Sequence, residues 1–135
     1  MRVSEIGLSL YQLIRETCFS GYVEVQEADR LVVGVEVVEA FEGEATLEIA
    51  LLSDSDDCMV SPTELYRTEP FSKSDLEHGV TLGVVIAGLE ERYFCVRYIV
   101  SGGTFDKGKL STRVSTEEAP WFVSSAELKA VPGRL

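Results

Sequence analysis

Apolar and polar residues alternate most regularly towards the C-terminal end of this chain. In residues 92–101 every second side chain is apolar on one face, which carries Phe94, Val96, Tyr98 and Val100. A repeat of two residues is typical of a strand with one buried side. Residues 109–115 alternate in the same way, and a glycine-bounded loop joins the two segments. The pattern predicts a hairpin and therefore an antiparallel sheet.

The same alternation recurs through the middle of the chain. The connection 39–44 contains a glycine and predicts a second hairpin between the strands on either side of it. A total of about seven or eight strands, with turn signals every 8–12 residues, predicts an all-β fold: a jelly roll or other antiparallel β-sandwich, or a small barrel. The further predicted strands are 22–26, 31–38, 45–52, 64–68 and 80–87.

The N-terminal residues fit two patterns. Residues 6–17 match a short amphipathic helix, with Leu10 and Leu13 at helical spacing. They also match an extended arm in which Leu8 and Leu10 alternate with polar residues. Both interpretations stay open at this point.

The C-terminal residues continue beyond the alternating core. Residues 117–123 are interpreted as an edge strand or an arm, and residues 130–135 as a tail. A chain of 135 residues is expected to form one domain with a proper core. The predicted parts of this domain are an N-terminal arm (1–20), a β core (21–115) and a C-terminal extension (116–135).

The chain is acidic, with 12 Lys and Arg against 23 Asp and Glu and a formal net charge of −11. Nucleic acids and anionic membranes would both repel such a surface, because binding to either depends on Lys and Arg. No apolar run approaches the roughly 18–20 residues needed to cross a bilayer. Residues 1–7 lack the form of a signal peptide. We therefore expect synthesis in a cytoplasm, and neither nucleic acid nor a membrane as a partner.

Few residues are arranged for chemistry. The three cysteines are widely spaced and form no CxxC pair, which argues against a disulfide framework and a zinc site. A cupin-type metal centre needs several histidine ligands, and this chain has one histidine, His78. The GxSxG motif that would indicate a Ser–His–acid triad is not present. The acidic run 54–57 matches the start of a calcium loop but lacks the required glycine and final glutamate. We expect no enzymatic activity, no cofactor and no metal.

Two of the cysteines have contrasting surroundings. Cys95 lies in a predicted strand and is expected to behave as a small apolar residue. Cys58 follows the acidic run, whose carboxylates are expected to raise the pKa of its thiol. Cys58 is therefore not a candidate nucleophile.

Apolar residues that do not fit the core pattern are candidates for contact with a partner, because aromatic residues and arginine dominate interface energetics. They lie on the outward face of the strand at 92–101, in the loop after it, and at the two ends of the chain. For Trp121, closing one end of the sandwich is an alternative role. The candidates are Leu8, Leu10, Leu13, Tyr93, Arg97, Ile99, Phe105, Trp121 and Phe122.

Three segments resemble the capsid cement (decoration) proteins of tailed bacteriophages, of the kind seen on Bordetella phage. They are 31–37 (LVVGVEV), 45–57 (ATLEIALLSDSDD) and, above all, 93–110 (YFCVRYIVSGGTFDKGKL). In that family a strand ending in Leu-Arg-Leu-Asn-Tyr-Thr-Val-Xaa-Gly runs into Thr-Phe-Xaa-Xaa-Gly-Lys. The extra glycine in the turn and the extension 116–135 depart from the family pattern.

The resemblance implies a jelly roll without enzymatic activity on the outer capsid surface of a virion. It also implies a homodimer or homotrimer that clamps neighbouring subunits of the phage major capsid protein. A symmetric oligomer that touches several subunits gains affinity by avidity. The alternative function is a carbohydrate- or receptor-binding β-sandwich module of a phage virion, which would carry a cluster of aromatic residues on one exposed face.

Overall fold

The structure of this chain is a computed structural model that describes residues 6–25, 30–77, 79–87, 92–115 and 129–132. Strands account for most of these residues, and none of them belongs to a helix that could cross a membrane. The strands are β1 Ile6–Leu13, β2 Cys18–Glu24, β3 Arg30–Glu42, β4 Thr46–Asp54, β5 Thr63–Arg67, β6 Gly79–Ala87, β7 Tyr93–Ser101, β8 Lys107–Ser115 and β9 Lys129–Pro132.

Two sheets face each other across one apolar core. The five-stranded sheet has the order β1-β8-β3-β6-β9, and the four-stranded sheet has the order β2-β7-β4-β5. Neighbouring strands are antiparallel apart from β6 and β9, which run parallel. The predicted all-β sandwich is confirmed.

Both hairpins predicted from the sequence are wrong, although their strands are present. β7 pairs with β2 and β4, whereas β8 pairs with β1 and β3, so the loop between them crosses from one sheet to the other. The connection between β3 and β4 crosses in the same way. An alternating pattern tells which side of a strand is buried but not which strand lies beside it.

The N-terminal segment is a strand and not a helix, because β1 pairs with β8 along the edge of the five-stranded sheet. The ladder shifts register on both sides of Ser9, and Tyr11 has a φ of 55°. Such irregularities change which side chains point inward. As a result Leu8 is buried and Leu10 is exposed, so the simple alternation of these two leucines is wrong.

The C-terminal residues contribute a strand where the sequence predicts a tail. Lys129–Pro132 forms β9, which lies beside β6 at an edge of the five-stranded sheet. A strand of four residues is too short to give a recognisable period. The arm or strand predicted at 117–123 and the loop residue His78 lie outside the described residues.

The alternation correctly predicts which side chains of the central strands fill the core. The inward positions of β3, β4 and β7 form one buried cluster, which Leu110 and Val114 of β8 join. Burying a side chain of this size contributes about 1.5–3 kcal/mol, and all three cysteines are free. Apolar burial therefore holds the sheets together without disulfides. The inward side chains of β3, β4 and β7 are Leu31, Val33, Val35, Val37, Leu47, Ile49, Leu51, Phe94, Val96 and Tyr98.

Three crossovers between the sheets meet at one end of the sandwich. They are the segments 14–17, 43–45 and 102–106, and their backbones are hydrogen-bonded at their ends. These bonds hold the crossovers together where no regular ladder is available. The bonds run from Ile14 N to Gly108 O (3.0 Å), from Phe105 N to Arg15 O (3.1 Å) and from Asp106 N to Glu42 O (2.7 Å).

Phe105 fills the core at this end. Its side chain is fully buried, and its ring centre lies 4.8 Å from that of Phe41 in an edge-to-face arrangement. The prediction of Phe105 as a candidate for partner contact is therefore wrong. A loop position suggests exposure, but this loop crosses the open end of the core, where an aromatic ring fills the gap between the sheets.

A buried hydroxyl group links the two sheets. Tyr98 lies on β7, and its hydroxyl oxygen is 2.9 Å from Ser9 Oγ on β1 and 2.5 Å from Thr112 Oγ1 on β8. Burial raises the pKa of Tyr98 to about 12. A polar group at this depth is tolerated only when it is hydrogen-bonded. The contact therefore fixes β7 against the β1–β8 edge of the opposite sheet.

Gly103 and Gly108 have similar backbone conformations but different steric surroundings. Gly103 and Gly108 have φ values of 136° and 145°, but a Cβ atom at Gly103 would meet nothing within 4 Å, whereas one at Gly108 would overlap the ring of Phe41. We expect Gly108→Ala to lower the unfolding free energy by about 1–3 kcal/mol more than the matched control Gly103→Ala. Urea unfolding of both variants measures this, and equal losses would contradict the packing of Phe41 on Gly108.

The buried hydroxyl predicts how stability depends on alkaline pH. The folded-state pKa of Tyr98 lies above its unfolded value of about 10, so its contribution is fully present below that value and is lost as pH rises through the folded pKa. We expect the unfolding free energy to fall above pH 10 less steeply in Tyr98→Phe, by up to about 1.4 kcal/mol per pH unit. Equal slopes in urea unfolding series from pH 9 to 12 would contradict this assignment.

The same substitution also lowers the unfolding free energy at neutral pH. Because Tyr98→Phe leaves Ser9 and Thr112 without their shared partner, we expect a loss of about 1–3 kcal/mol at pH 7. This loss is measured in the same series.

Candidate partner-binding surface

One edge of the sandwich carries most of the exposed large apolar side chains. Among the residues whose side-chain burial the structure describes, five of the six exposed large hydrophobic side chains lie on β1 or β2, and the sixth, Val60, follows β4. We call these two strands, with their five exposed side chains, the β1–β2 edge. Its members are Leu10, Tyr11, Leu13, Phe19 and Tyr22.

The fold makes these two strands neighbours. β1 and β2 are each the end strand of their sheet, and the short crossover 14–17 joins them. The Gln12 side chain on β1 donates a hydrogen bond to the Phe19 carbonyl on β2 over 3.1 Å. The end strands of the two sheets therefore lie side by side. Leu10 and Leu13 point to the outer side of the five-stranded sheet, and Phe19 and Tyr22 point to the outer side of the four-stranded sheet. Exposed apolar side chains on neighbouring strands are candidates for a binding site.

An irregularity in β2 brings two aromatic side chains to the same face. Phe19 and Tyr22 are three residues apart, so they would point to opposite faces of a regular strand. The ladder with β7 shifts register between them. In the shifted segment, Ser20 Oγ accepts a hydrogen bond from the backbone N–H of Val96 over 2.9 Å. Both rings consequently project from the outer face of the four-stranded sheet.

A pocket of about 200 Å³ lies beside these rings, and we call it the β2 slot. Phe19 and Tyr22 supply aromatic walls, while Cys95 and Met59 supply apolar lining from β7 and from the loop after β4. Asp57 adds a carboxylate to the same pocket. The slot therefore combines aromatic faces, an apolar lining and one negative charge.

The slot continues into an apolar cluster on the outer face of the four-stranded sheet. Ala50, Leu52 and Cys95 are buried there, and Met59 and Ile99 cover them. Burial raises the pKa of Cys95 to about 11, which agrees with the predicted behaviour of this residue as a small apolar side chain. The outer face is thus partly apolar before any partner is considered.

Asp57 sets the electrostatics of the slot. The Tyr22 hydroxyl donates to Asp57 Oδ2 over 3.4 Å, and the negative charge of Asp57 raises the pKa of Tyr22. A hydrogen bond to Asp57, together with the charges of Asp57 and Asp56, raises the pKa of the exposed Cys58 thiol. The predicted effect of the acidic run on Cys58 is confirmed, and the slot favours a positively charged group.

Two arginines already lie over aromatic rings on this face. The guanidinium of Arg97 is 5.5 Å from the Phe19 ring centre, and that of Arg92 is 5.5 Å from the Tyr93 ring centre. Arg92 also forms an ion pair with Glu24. The Nε atom of Arg97 is buried without a hydrogen-bond partner among the described residues. The face therefore already binds cations on its rings within the chain itself.

Asp54 organises the acidic loop and does not point to a ligand. Its carboxylate accepts backbone hydrogen bonds from Asp56 (3.1 Å) and Ser61 (3.0 Å), and these bonds lower the pKa of Asp54. The donor atoms of Asp56, Asp57 and Cys58 lie within 4.8 Å of one another, but all three residues are exposed. Exposed acidic groups of this kind are common without an ion.

The structure separates the residues that the sequence singled out. Leu10 and Leu13 lie on the β1–β2 edge. Tyr93, Arg97 and Ile99 are half-buried on the outer face of the four-stranded sheet, as the alternation predicts.

The remaining candidates lie elsewhere. Leu8 and Phe105 are core residues, so their selection as exposed contacts was wrong. A partner could reach neither side chain without opening the sandwich. Trp121 and Phe122 lie outside the described residues.

Several residues of this surface were not found from the sequence. Tyr11 lies in the segment 6–17, which fits both a helix and an arm, and Phe19 lies in the predicted N-terminal arm, outside every predicted strand. Asp57 and Met59 lie in a loop without a period. The glycine Gly21 was the available signal, because glycine within a strand often marks a bulge. That bulge is what brings Phe19 to the face of Tyr22.

Comparison with known proteins gives one family match. A family model described as Bbp16 matches residues 16–114, nearly three quarters of the chain. The matched range includes the whole of β2, the acidic loop and the crossover that carries Phe105. Curated protein sequences give no match to this chain.

The charge of Asp57 predicts the reactivity of the neighbouring thiol. Because Asp57 raises the pKa of Cys58, we expect Asp57→Asn to increase the rate at which iodoacetamide alkylates Cys58 at pH 7.5 several-fold. Mass spectrometry of the modified peptide follows the rate, and the buried Cys95 serves as an internal control that should stay unreactive. An unchanged rate at Cys58 would contradict the proximity of the two side chains.

Proposed function

This chain belongs to the Bbp16 family, a family of Bordetella phage proteins, and we propose that it is a capsid cement protein. In this role it binds the outside of the major capsid shell and bridges neighbouring capsid subunits without catalysing a reaction. The observation that carries this proposal is that five exposed large apolar side chains lie on the neighbouring end strands β1 and β2. A surface of this kind suits a lasting contact with another protein.

The strand order supports a jelly roll as the scaffold of this function. Strands β1 to β8 divide into the sets β1-β8-β3-β6 and β2-β7-β4-β5, and β9 is added at the end of the first set. A jelly roll has eight strands in two such sheets. Because the β1–β2 edge includes one strand of each sheet, a capsid subunit bound there would contact both sheets of the sandwich.

The charge of the chain supports a place on the outside of the shell. A net charge of −11 disfavours contact with packaged nucleic acid, whose phosphates carry the same sign. It also supports solubility while the protein is free in the host cytoplasm. The binding contact then depends on apolar side chains and on basic groups of the shell.

Bridging several subunits requires more than one contact per assembly. We propose that the chain acts as a homodimer or homotrimer, because each added copy turns a weak contact into an intramolecular one. Symmetric oligomers present the same edge several times, in a geometry that a symmetric shell can match. Stabilisation of the shell would then exceed the strength of any single contact.

A carbohydrate- or receptor-binding module of the virion is the second candidate function. The observation that favours it is the group of aromatic side chains Phe19, Tyr22 and Tyr93 on one face. Tyr22 and Tyr93 meet edge-to-face at 78°, and arginines lie over Phe19 and Tyr93. A sugar ring needs an open, flat aromatic face, so this arrangement suits a cation better than a sugar.

The cement function predicts binding to shells and a rise in their stability. We expect the purified chain to co-sediment with shells assembled without it and to raise the temperature at which they open in calorimetry. Leu10→Ser combined with Leu13→Ser should weaken binding about 10-fold or more, since both side chains lie on the edge. Val60→Ser, which removes an exposed apolar side chain elsewhere, is the matched control and should bind within about 2-fold of the unchanged chain.

Two results would contradict the proposed function. One is a folded chain that does not co-sediment with shells, and the other is binding without any change in the opening temperature. Binding to a glycan array in place of shells would favour the second candidate.

A further inference from the structure

We propose that the β2 slot receives a lysine or arginine side chain of the capsid subunit. This inference rests on the proposed function for the identity of the partner, and on the slot itself for the chemistry of the contact. It assigns the specific part of the interface to the slot, and the general apolar part to Leu10, Tyr11 and Leu13 on β1.

The shape and lining of the slot suit a long basic side chain. A volume of about 200 Å³ holds one side chain but not a folded element. Lysine and arginine bury their aliphatic stems on apolar surface and keep the charged group at a polar rim. In the slot, Met59 and Cys95 would contact the stem, and Asp57 would contact the charged group.

The aromatic walls add a second preference for a cation. Phe19 and Tyr22 both line the slot, and ring faces attract guanidinium and ammonium groups. Arg97 lies over Phe19, and Arg92 lies over Tyr93. Among the described residues, no arginine or lysine lies over the ring of Tyr22 in the same way. Tyr22 is therefore the ring of this face that is available to a partner.

The carboxylates beside the slot are complementary to a basic partner. Asp56 and Asp57 are exposed, and neither forms an ion pair with a described residue. The Tyr22 hydroxyl holds one oxygen of Asp57 beside the slot and leaves the carboxylate its negative charge. An acidic or phosphorylated side chain would be repelled here by the two carboxylates.

The first experiment tests the slot without shells. We would titrate Nα-acetyl-arginine-methylamide into the full chain labelled with ¹⁵N and follow the backbone amide signals. We expect saturable shifts confined to residues 19–22, 57–59 and 95, and a reduction in affinity of about 3- to 10-fold in Asp57→Asn. Asp106→Asn removes an exposed carboxylate at the crossover end and should leave the affinity within about 2-fold.

A neutral probe completes this experiment. Nα-acetyl-norleucine-methylamide has a similar stem but no charge, and it should bind more weakly than the arginine compound. Equal shifts with both compounds, shifts elsewhere on the chain, or an equal effect of Asp57→Asn and Asp106→Asn would each overturn the inference.

The second experiment uses shells and separates the slot from the proposed function. Tyr22→Leu and Asp57→Asn should each weaken co-sedimentation about 3- to 10-fold, whereas Tyr22→Phe, which keeps the ring, should stay within about 2-fold. Tyr22 and Asp57 are exposed, so thermal unfolding should be unchanged in all three variants. If the unchanged chain binds shells and none of these variants differs, the slot inference fails and the cement function stands. If the slot binds the arginine compound and the chain does not bind shells, the cement function fails and the slot stands.

Discussion

Burial of the two facing apolar sides is the interaction on which the rest of this structure depends. β3, β4 and β7 supply nearly half of the shared core among the described residues, and the three cysteines of the chain are free. Because the strands alternate, filling the core fixes one side of each strand and leaves the other side open to variation. Binding chemistry can therefore change on the outer face and at the edges without loss of the core. The β1–β2 edge and the β2 slot both lie in that variable part.

The sequence predicted the strands well and their neighbours poorly. Val33 and Ile49 lie at predicted inward positions of alternating strands, and each is buried as expected. Pairing, in contrast, is decided by where the crossovers go, and the crossovers are held by backbone bonds such as that from Asp106 N to Glu42 O. Those bonds connect segments more than 60 residues apart, so the local sequence pattern cannot predict them. Phe105 illustrates the consequence, since its loop position suggested exposure and its crossover position buries it.

The binding surface was predictable only in part. Tyr93, Arg97 and Ile99 were placed on the correct strand face by alternation alone. Phe19 and Tyr22 share a face because of an irregularity in β2, which a strict period of two cannot anticipate. Asp57 and Met59 come from a loop whose shape is set by the Asp54 carboxylate, and they reach the slot only through tertiary structure. Local pattern thus predicts faces, whereas sites that combine strands and loops require the fold.

These features are consistent with the proposed binding to a capsid shell. An apolar core holds the two sheets together, exposed apolar side chains lie on the end strands β1 and β2, and in our proposal the β2 slot adds selectivity for a basic side chain. The most direct measurement is electron cryomicroscopy of shells decorated with this chain. We predict that the chain lies outside the shell with its β1–β2 edge, including Leu13 and Tyr22, against capsid subunits. A decorated shell in which that edge faces solvent, while β3 and β6 or another part of the sandwich touches the capsid, would contradict it.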